Sequence, residues 1–135
     1  MSRPASSRGS GDAVIEKANL HRLPSFVTAD GSTIRELAGT SWTAARAQSL
    51  AEATVEPGAE TAEHYHPQSE ELYYFVAGTG RMRLGSDVSE VVAGDCVVIP
   101  PGTAHKLFND RSEPLVLLCC CSPAYSDDDT VLTGG

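Results

Sequence analysis

From Glu52 onward the chain is cut at short intervals by turn-forming residues: Pro57-Gly58, Gly78-Thr79-Gly80, Gly85-Ser86-Asp87, Gly94-Asp95, Pro100-Pro101-Gly102, Asn109-Asp110 and Ser112-Glu113-Pro114. Between them lie runs rich in β-branched and aromatic residues: Leu72 to Ala77, Arg81 to Leu84, Val88 to Ala93, Cys96 to Ile99, His105 to Phe108 and Leu115 to Cys121. Many short strands joined by glycine and proline turns predict an all-β protein, a sandwich or barrel.

Upstream the pattern is weaker. Residues 1 to 12 are rich in Ser, Gly and Arg and are expected to form a flexible arm outside a single domain spanning 13–135. Asp12 to Leu23 is expected as a short helix or coil, and Ser32 to Leu37 and Ser49 to Val55 as strands. With 135 residues, 41% of them hydrophobic, the chain can bury one core without disulfide or zinc staples. Eighteen acidic against ten basic residues give a formal charge of −8, which disfavours nucleic acid and anionic membrane surfaces as partners. The longest apolar run, Leu115 to Cys121, is far short of the roughly twenty residues needed to span a bilayer. No apolar segment follows the first eleven residues, so a cytoplasmic location is expected. Three of the four cysteines are consecutive, Cys119 to Cys121, and are read as reduced, partly buried thiols. The acidic stretch Ser126 to Asp129 is read as solvated charge rather than a calcium loop.

Three of the four histidines, His64, His66 and His105, fall in the strand-rich part. Residues two apart on a strand share a face, so His64 and His66 can converge on one ion while Tyr65 points away. A pair of neutral imidazoles suits a transition metal, although a chance pair of surface or core histidines has the same spacing. Glu71 would fall on the opposite face if one strand ran through Pro67. Pro67-Gln68-Ser69 instead predicts a turn, after which Glu71 begins a returning strand facing the interior and Glu70 points outward. His105 follows the rigid Pro100-Pro101-Gly102 turn and shares a face with Leu107 and Asn109.

Taken together these spacings resemble the two signature motifs of the cupin superfamily. The first resembles Gly58, His64, His66, Glu71 and Gly78; the second resembles Gly94, Pro100, Gly102, His105 and Asn109, with fifteen residues, Thr79 to Ala93, between the motifs. The resemblance spans residues 58–78 and 94–109 and implies a single jelly-roll β-barrel. It also implies that His64, His66, Glu71 and His105 hold one divalent transition metal ion, Fe, Mn or Ni ahead of Zn or Cu, with two open positions on an octahedral ion. The stretches Asp30 to Leu37 and Cys119 to Leu132 are similar to those of small bacterial proteins of unassigned activity labelled mannose-6-phosphate-isomerase-like, an analogy of fold and not of substrate.

On strand parity Tyr73 and Phe75 face the interior beside Glu71, and Tyr73 offers a hydroxyl to a substrate oxygen. Gln48 is the candidate polar group from the Ser49 to Val55 strand. Arg81 and Arg83 are expected to face solvent. The expected function is that of a metal-dependent oxygenase, isomerase or lyase acting on a small oxygenated molecule, with a non-catalytic ligand-binding or sensor module as the competing reading. A homodimer is expected from the resemblance and would cover open strand edges.

Overall fold

The computed structural model describes residues 14–135; the expected N-terminal arm, 1 to 12, lies outside the described residues. Of the short helix or coil expected over Asp12 to Leu23, the described part is coil with one 3₁₀ turn, Leu20–Arg22, where the Asn19 side chain accepts a hydrogen bond from the His21 N–H. Strands β1 (Phe26–Val27), β2 (Thr33–Ala38) and β3 (Ser49–Val55) lead into β4 (His64–Tyr65), β5 (Glu70–Ala77), β6 (Thr79–Leu84) and β7 (Asp87–Val92). Then come β8 (Cys96–Ile99), β9 (His105–Phe108), β10 (Leu115–Ser122) and β11 (Val131–Leu132).

Every described pairing between these strands is antiparallel. One sheet runs β1-β2-β3-β10-β5-β8 and the other β11-β4-β9-β6-β7. The expected jelly roll is therefore two facing sheets rather than a closed ring of hydrogen bonds. Strands β1 and β11, two residues each, are too short to leave a periodic signal in the sequence.

Alternation does the sorting. Along β5, Glu71, Tyr73 and Phe75 are buried, while Glu70, Leu72 and Tyr74 are exposed, as their parity requires. Phe75, Ile99, Leu115 and Leu117 are almost wholly buried and pack with Val55, Met82, Val91 and Leu107 between the sheets. Truncating a fully buried phenylalanine such as Phe75 to alanine costs about 3–5 kcal/mol. The opposite faces of β6 put Met82 in this core and Arg81 and Arg83 outside, where they pair with Asp110 and Glu63.

Two motif positions hold the sheets in register. Gly78 has φ +88°, and a Cβ there would strike the Pro114 carbonyl, so only glycine lets β5 turn into β6 at this approach to β10. Asn109 is buried, and its Nδ2 donates to the Val55 and Glu113 carbonyls at 2.9 and 2.8 Å. Its own carbonyl accepts from the Gly58 N–H at 2.7 Å, tying the start of the first motif to the end of the second.

Candidate metal centre

His64 and His105 are directly opposed on β4 and β9, His66 follows β4, and Glu71 lies on β5 in the facing sheet. One ligand atom from each of the four lies within 4.8 Å of the others, and all four residues are buried. The imidazole centroids are 4.4 to 5.6 Å apart. The strand pair and the turn through Pro67 thus bring together the four residues that the sequence marked.

The outer nitrogen of each imidazole is fixed by a carbonyl, which can only accept. His64 Nδ1 lies 3.0 Å from the Ala62 oxygen, His105 Nδ1 2.9 Å from the Thr103 oxygen, and His66 Nδ1 3.0 Å from the Asp129 oxygen. Each Nδ1 therefore carries the proton in the neutral ring, leaving the Nε2 lone pair free, the tautomer a metal ligand needs. Glu71 Oε1 sits 3.2 Å from His66 Nε2 and 3.4 Å from His105 Nε2. Neither contact is a hydrogen bond, and Glu71 Oε1 and His105 Nε2 are both buried without a hydrogen-bond partner among the described residues. A native fold seldom leaves two such atoms orphaned side by side, and a cation between them satisfies both. Three imidazole nitrogens and a carboxylate suit a first-row transition ion, so the residues present fit the group that the motifs imply.

Electrostatics agree with a poised donor set. Burial opposes ionisation of Glu71, but His105 and His66 outweigh it and hold the carboxyl at about 2. Burial likewise opposes the charged form of His66, but the Glu71 carboxylate and the Asp129 carbonyl raise its pKa above the ordinary imidazole value. Burial, and then the charge of His105, lower that of His64.

His64, His66 and Glu71 of the cluster line a cavity that is continuous with solvent. Tyr73 lines it, buried beneath Glu71, its ring 5.8 Å from that of His105. Burial and the Glu71 charge push the Tyr73 phenol well up, so it stays a hydroxyl. Gln48 is exposed and lies outside the lining; its Oε1 contacts the Cys120 thiol, and β3 instead presents Ser49 to the cavity. Of the cysteine run, Cys119 and Cys121 face inward, and all four thiols are free. The register of β10 on β5 sets Cys121 beside Glu71, and its thiol donates to Glu71 Oε2 at 3.2 Å. Burial and the neighbouring carboxylate push this thiol up as well, so it is a hydrogen-bond donor and not a nucleophile.

The acidic tail departs from the expectation of solvated charge. Asp127 and Asp128 are exposed, but Asp129 takes the N–H groups of Gln68 and Ser69 on its two carboxylate oxygens, each at 3.0 Å, while its carbonyl orients His66. Tyr125 and Thr130 from the same segment join the lining. Asp30, in the β1–β2 loop, also lines the cavity, with Oδ2 4.0 Å from His64 Nδ1. None of these belongs to a local motif: Asp30 comes to His64 from the β1–β2 loop, and Tyr125, Asp129 and Thr130 come from the segment between β10 and β11.

Two facing antiparallel sheets with a buried three-histidine, one-glutamate cluster at an open cavity make a small β-sandwich with a donor set that could hold a metal ion. The family profile described as Cupin domain matches residues 51–121, and the chain belongs to that family. The uncharacterized protein MJ1618 of Methanocaldococcus jannaschii is 44% identical over 116 residues, covering 86% of this chain and 93% of that protein. Oxalate decarboxylase OxdC of Bacillus subtilis is 31% identical over 97 residues, 68% of this chain but 25% of the decarboxylase, so the chain spans a quarter of that protein. In structure, the nucleoside dehydratase Pac13 of Streptomyces superposes with a TM-score of 0.74 at 20% identity over 90% of this chain and 92% of that one, a likeness of fold.

Proposed function

We propose that this cupin is a metal-dependent enzyme of the oxygenase, isomerase or lyase type, acting on a small oxygenated organic molecule in the cavity. The observation that carries the reading is the pair of orphaned buried atoms, Glu71 Oε1 and His105 Nε2, inside a four-residue donor cluster that a solvent-connected cavity reaches. A sealed, dry interior would have suited a structural metal; an open, partly polar cavity suits turnover. Two similar proteins bear the names of a decarboxylase and a dehydratase, which supports an enzyme without fixing the reaction.

His64, His66, His105 and Glu71 would hold one divalent transition ion, with iron, manganese or nickel favoured over zinc or copper. When bound, such an ion supplies Lewis acidity at a coordinated oxygen. The chain's own residues do the remainder. The three backbone carbonyls aim the imidazoles, and the Cys121 thiol occupies Glu71 Oε2 so that Oε1 faces the histidines. Tyr73 offers a hydroxyl to a substrate oxygen, and Ala51, Ala53 and Leu117 give the carbon skeleton an apolar wall.

The test is metal analysis of protein purified without chelator or nickel resin, beside His66→Ala and Glu71→Ala. Near-stoichiometric metal that disappears in both variants is expected. No bound metal, and no uptake on titration with Fe(II), Mn(II), Ni(II) or Zn(II), would sink the proposal and leave a ligand-binding module.

A further inference from the structure

We propose that the cavity selects an uncharged, hydroxyl-bearing ligand and discriminates against anions, with Asp30 accepting a hydrogen bond from a ligand hydroxyl; this rests on the metalloenzyme reading. The charged side chains on the described lining, histidines aside, are Asp30, Glu36 and Glu71, with no lysine or arginine among them. The nearby cations are committed elsewhere: Arg83 reaches Glu63 at 2.9 Å and Lys106 reaches Glu60 at 2.7 Å, both outside the lining. A carboxylate or phosphate drawn into this space would lose water and meet like charge without a lysine or arginine from the described lining. A divalent ion beside Glu71 would leave a single net positive charge, enough for one anionic oxygen and not for a second anionic group.

Asp30 gives the selection a positive side. Its Oδ1 accepts from Thr28 Oγ1 at 2.7 Å, the Ser32 N–H at 3.0 Å and Ser32 Oγ at 2.7 Å, which locks the carboxylate in place. Oδ2 has no hydrogen-bond donor among the described residues, and the Nδ1 of the neighbouring His64 is directed to the Ala62 carbonyl. The cavity therefore holds a fixed, vacant acceptor one imidazole away from the donor cluster. A hydroxyl, which can donate, satisfies it; an anionic oxygen cannot. The lining also includes Ile34, Ala51, Ala53 and Leu117, which suit carbon rather than charge.

The test uses the full chain loaded with Co(II), its metal content measured first, and a matched pair of probes, dihydroxyacetone and dihydroxyacetone phosphate. Binding is followed by the visible spectrum of the cobalt and by thermal stability. The neutral ketone is expected to bind at least about tenfold more tightly than its phosphate ester. Asp30→Asn should weaken the ketone about tenfold, and Asp30→Asn with Glu36→Gln should shrink the discrimination to about threefold or less. Opposite movement of the two probes at unchanged cobalt content is a signature that mere loosening of the loop would not produce. Tighter binding of the phosphate ester by the unaltered protein, or affinities unmoved by Asp30→Asn, would overturn the inference. So would failure of both dihydroxyacetone and erythritol to perturb the cobalt spectrum up to about 50 mM. Absence of cobalt uptake by the unaltered protein would instead overturn the metalloenzyme reading on which this one stands.

Discussion

The turn that delivers His105 and the turn that separates His66 from Glu71 do the same job by different means. Pro100-Pro101-Gly102 is largely self-contained: the Thr103 N–H reaches the Pro100 carbonyl at 3.3 Å, Gly102 takes φ +79°, and the Thr103 carbonyl two residues back aims His105. Pro67-Gln68-Ser69 is held from outside. Its Gln68 and Ser69 N–H groups go to the Asp129 carboxylate, and Ser69 Oγ donates to the Pro123 carbonyl at 2.7 Å. A turn stiffened by its own prolines can aim a ligand with local information, whereas a turn with one proline borrows its order from the far end of the chain. One hydrogen bond links the two, from the Gly102 N–H to the His66 carbonyl at 2.8 Å.

The largest expected effect is that of acid, and it acts first on the externally held turn. A protonated imidazole cannot ligate, and the Glu71 carboxylate and Asp129 carbonyl hold His66 above its ordinary value of 6.5, against the opposing effect of burial. Metal affinity should therefore be full well above that value and fall as pH drops through it, by about a hundredfold or more between roughly pH 7.5 and 5.5. Competition titration against a chromogenic chelator at several pH values checks this; a flat profile would mean that the histidines do not bind the ion.

Next in size is Asp129→Ala, which strips the acceptor from two backbone N–H groups and loosens the carbonyl that aims His66. Metal affinity should weaken about 10–100-fold. Thr103→Ala, by contrast, should leave affinity within about threefold, since only a backbone carbonyl acts there. Equal losses in the two variants would erase the distinction between the turns. A smaller change is expected of Cys121→Ala, which frees Glu71 Oε2 and should cost about 3–10-fold in affinity with a visible change in the Co(II) spectrum. Smallest is Pro101→Ala, which acts through the unfolded chain and should lower stability by about 0.5–1 kcal/mol in urea titration while leaving metal stoichiometry intact.

Much of this was legible in the residues. The expected strands Ser49 to Val55, Cys96 to Ile99 and His105 to Phe108 coincide with β3, β8 and β9, with turn residues at Pro57-Gly58 after β3, Gly94-Asp95 and Pro100 on either side of β8, and Gly102 and Asn109-Asp110 on either side of β9. The assignment of Glu71 inward and Glu70 outward follows from the period of two once the turn at Pro67 is granted. Gln48 shows where parity alone stops: it sits just before β3, exposed, and Ser49 takes the inward position. Asp30, Tyr125 and Asp129 were illegible for another reason. Their roles depend on loops and a 3₁₀ turn whose placement is set by sheet assembly and not by any local pattern.

The sequence by itself determined the strand and turn punctuation, the family motifs and the four candidate ligands, because steric rules for proline and glycine and side-chain alternation act within a few residues. Tertiary structure alone decided that the Asp129 carboxylate clamps the first-motif turn, that Cys121 meets Glu71, and that Asp30 keeps an oxygen without a donor among the described residues, in a cavity whose described lining holds no lysine or arginine. Those outcomes are set by which strands pair and in what register, a property of the whole sandwich rather than of any segment within it.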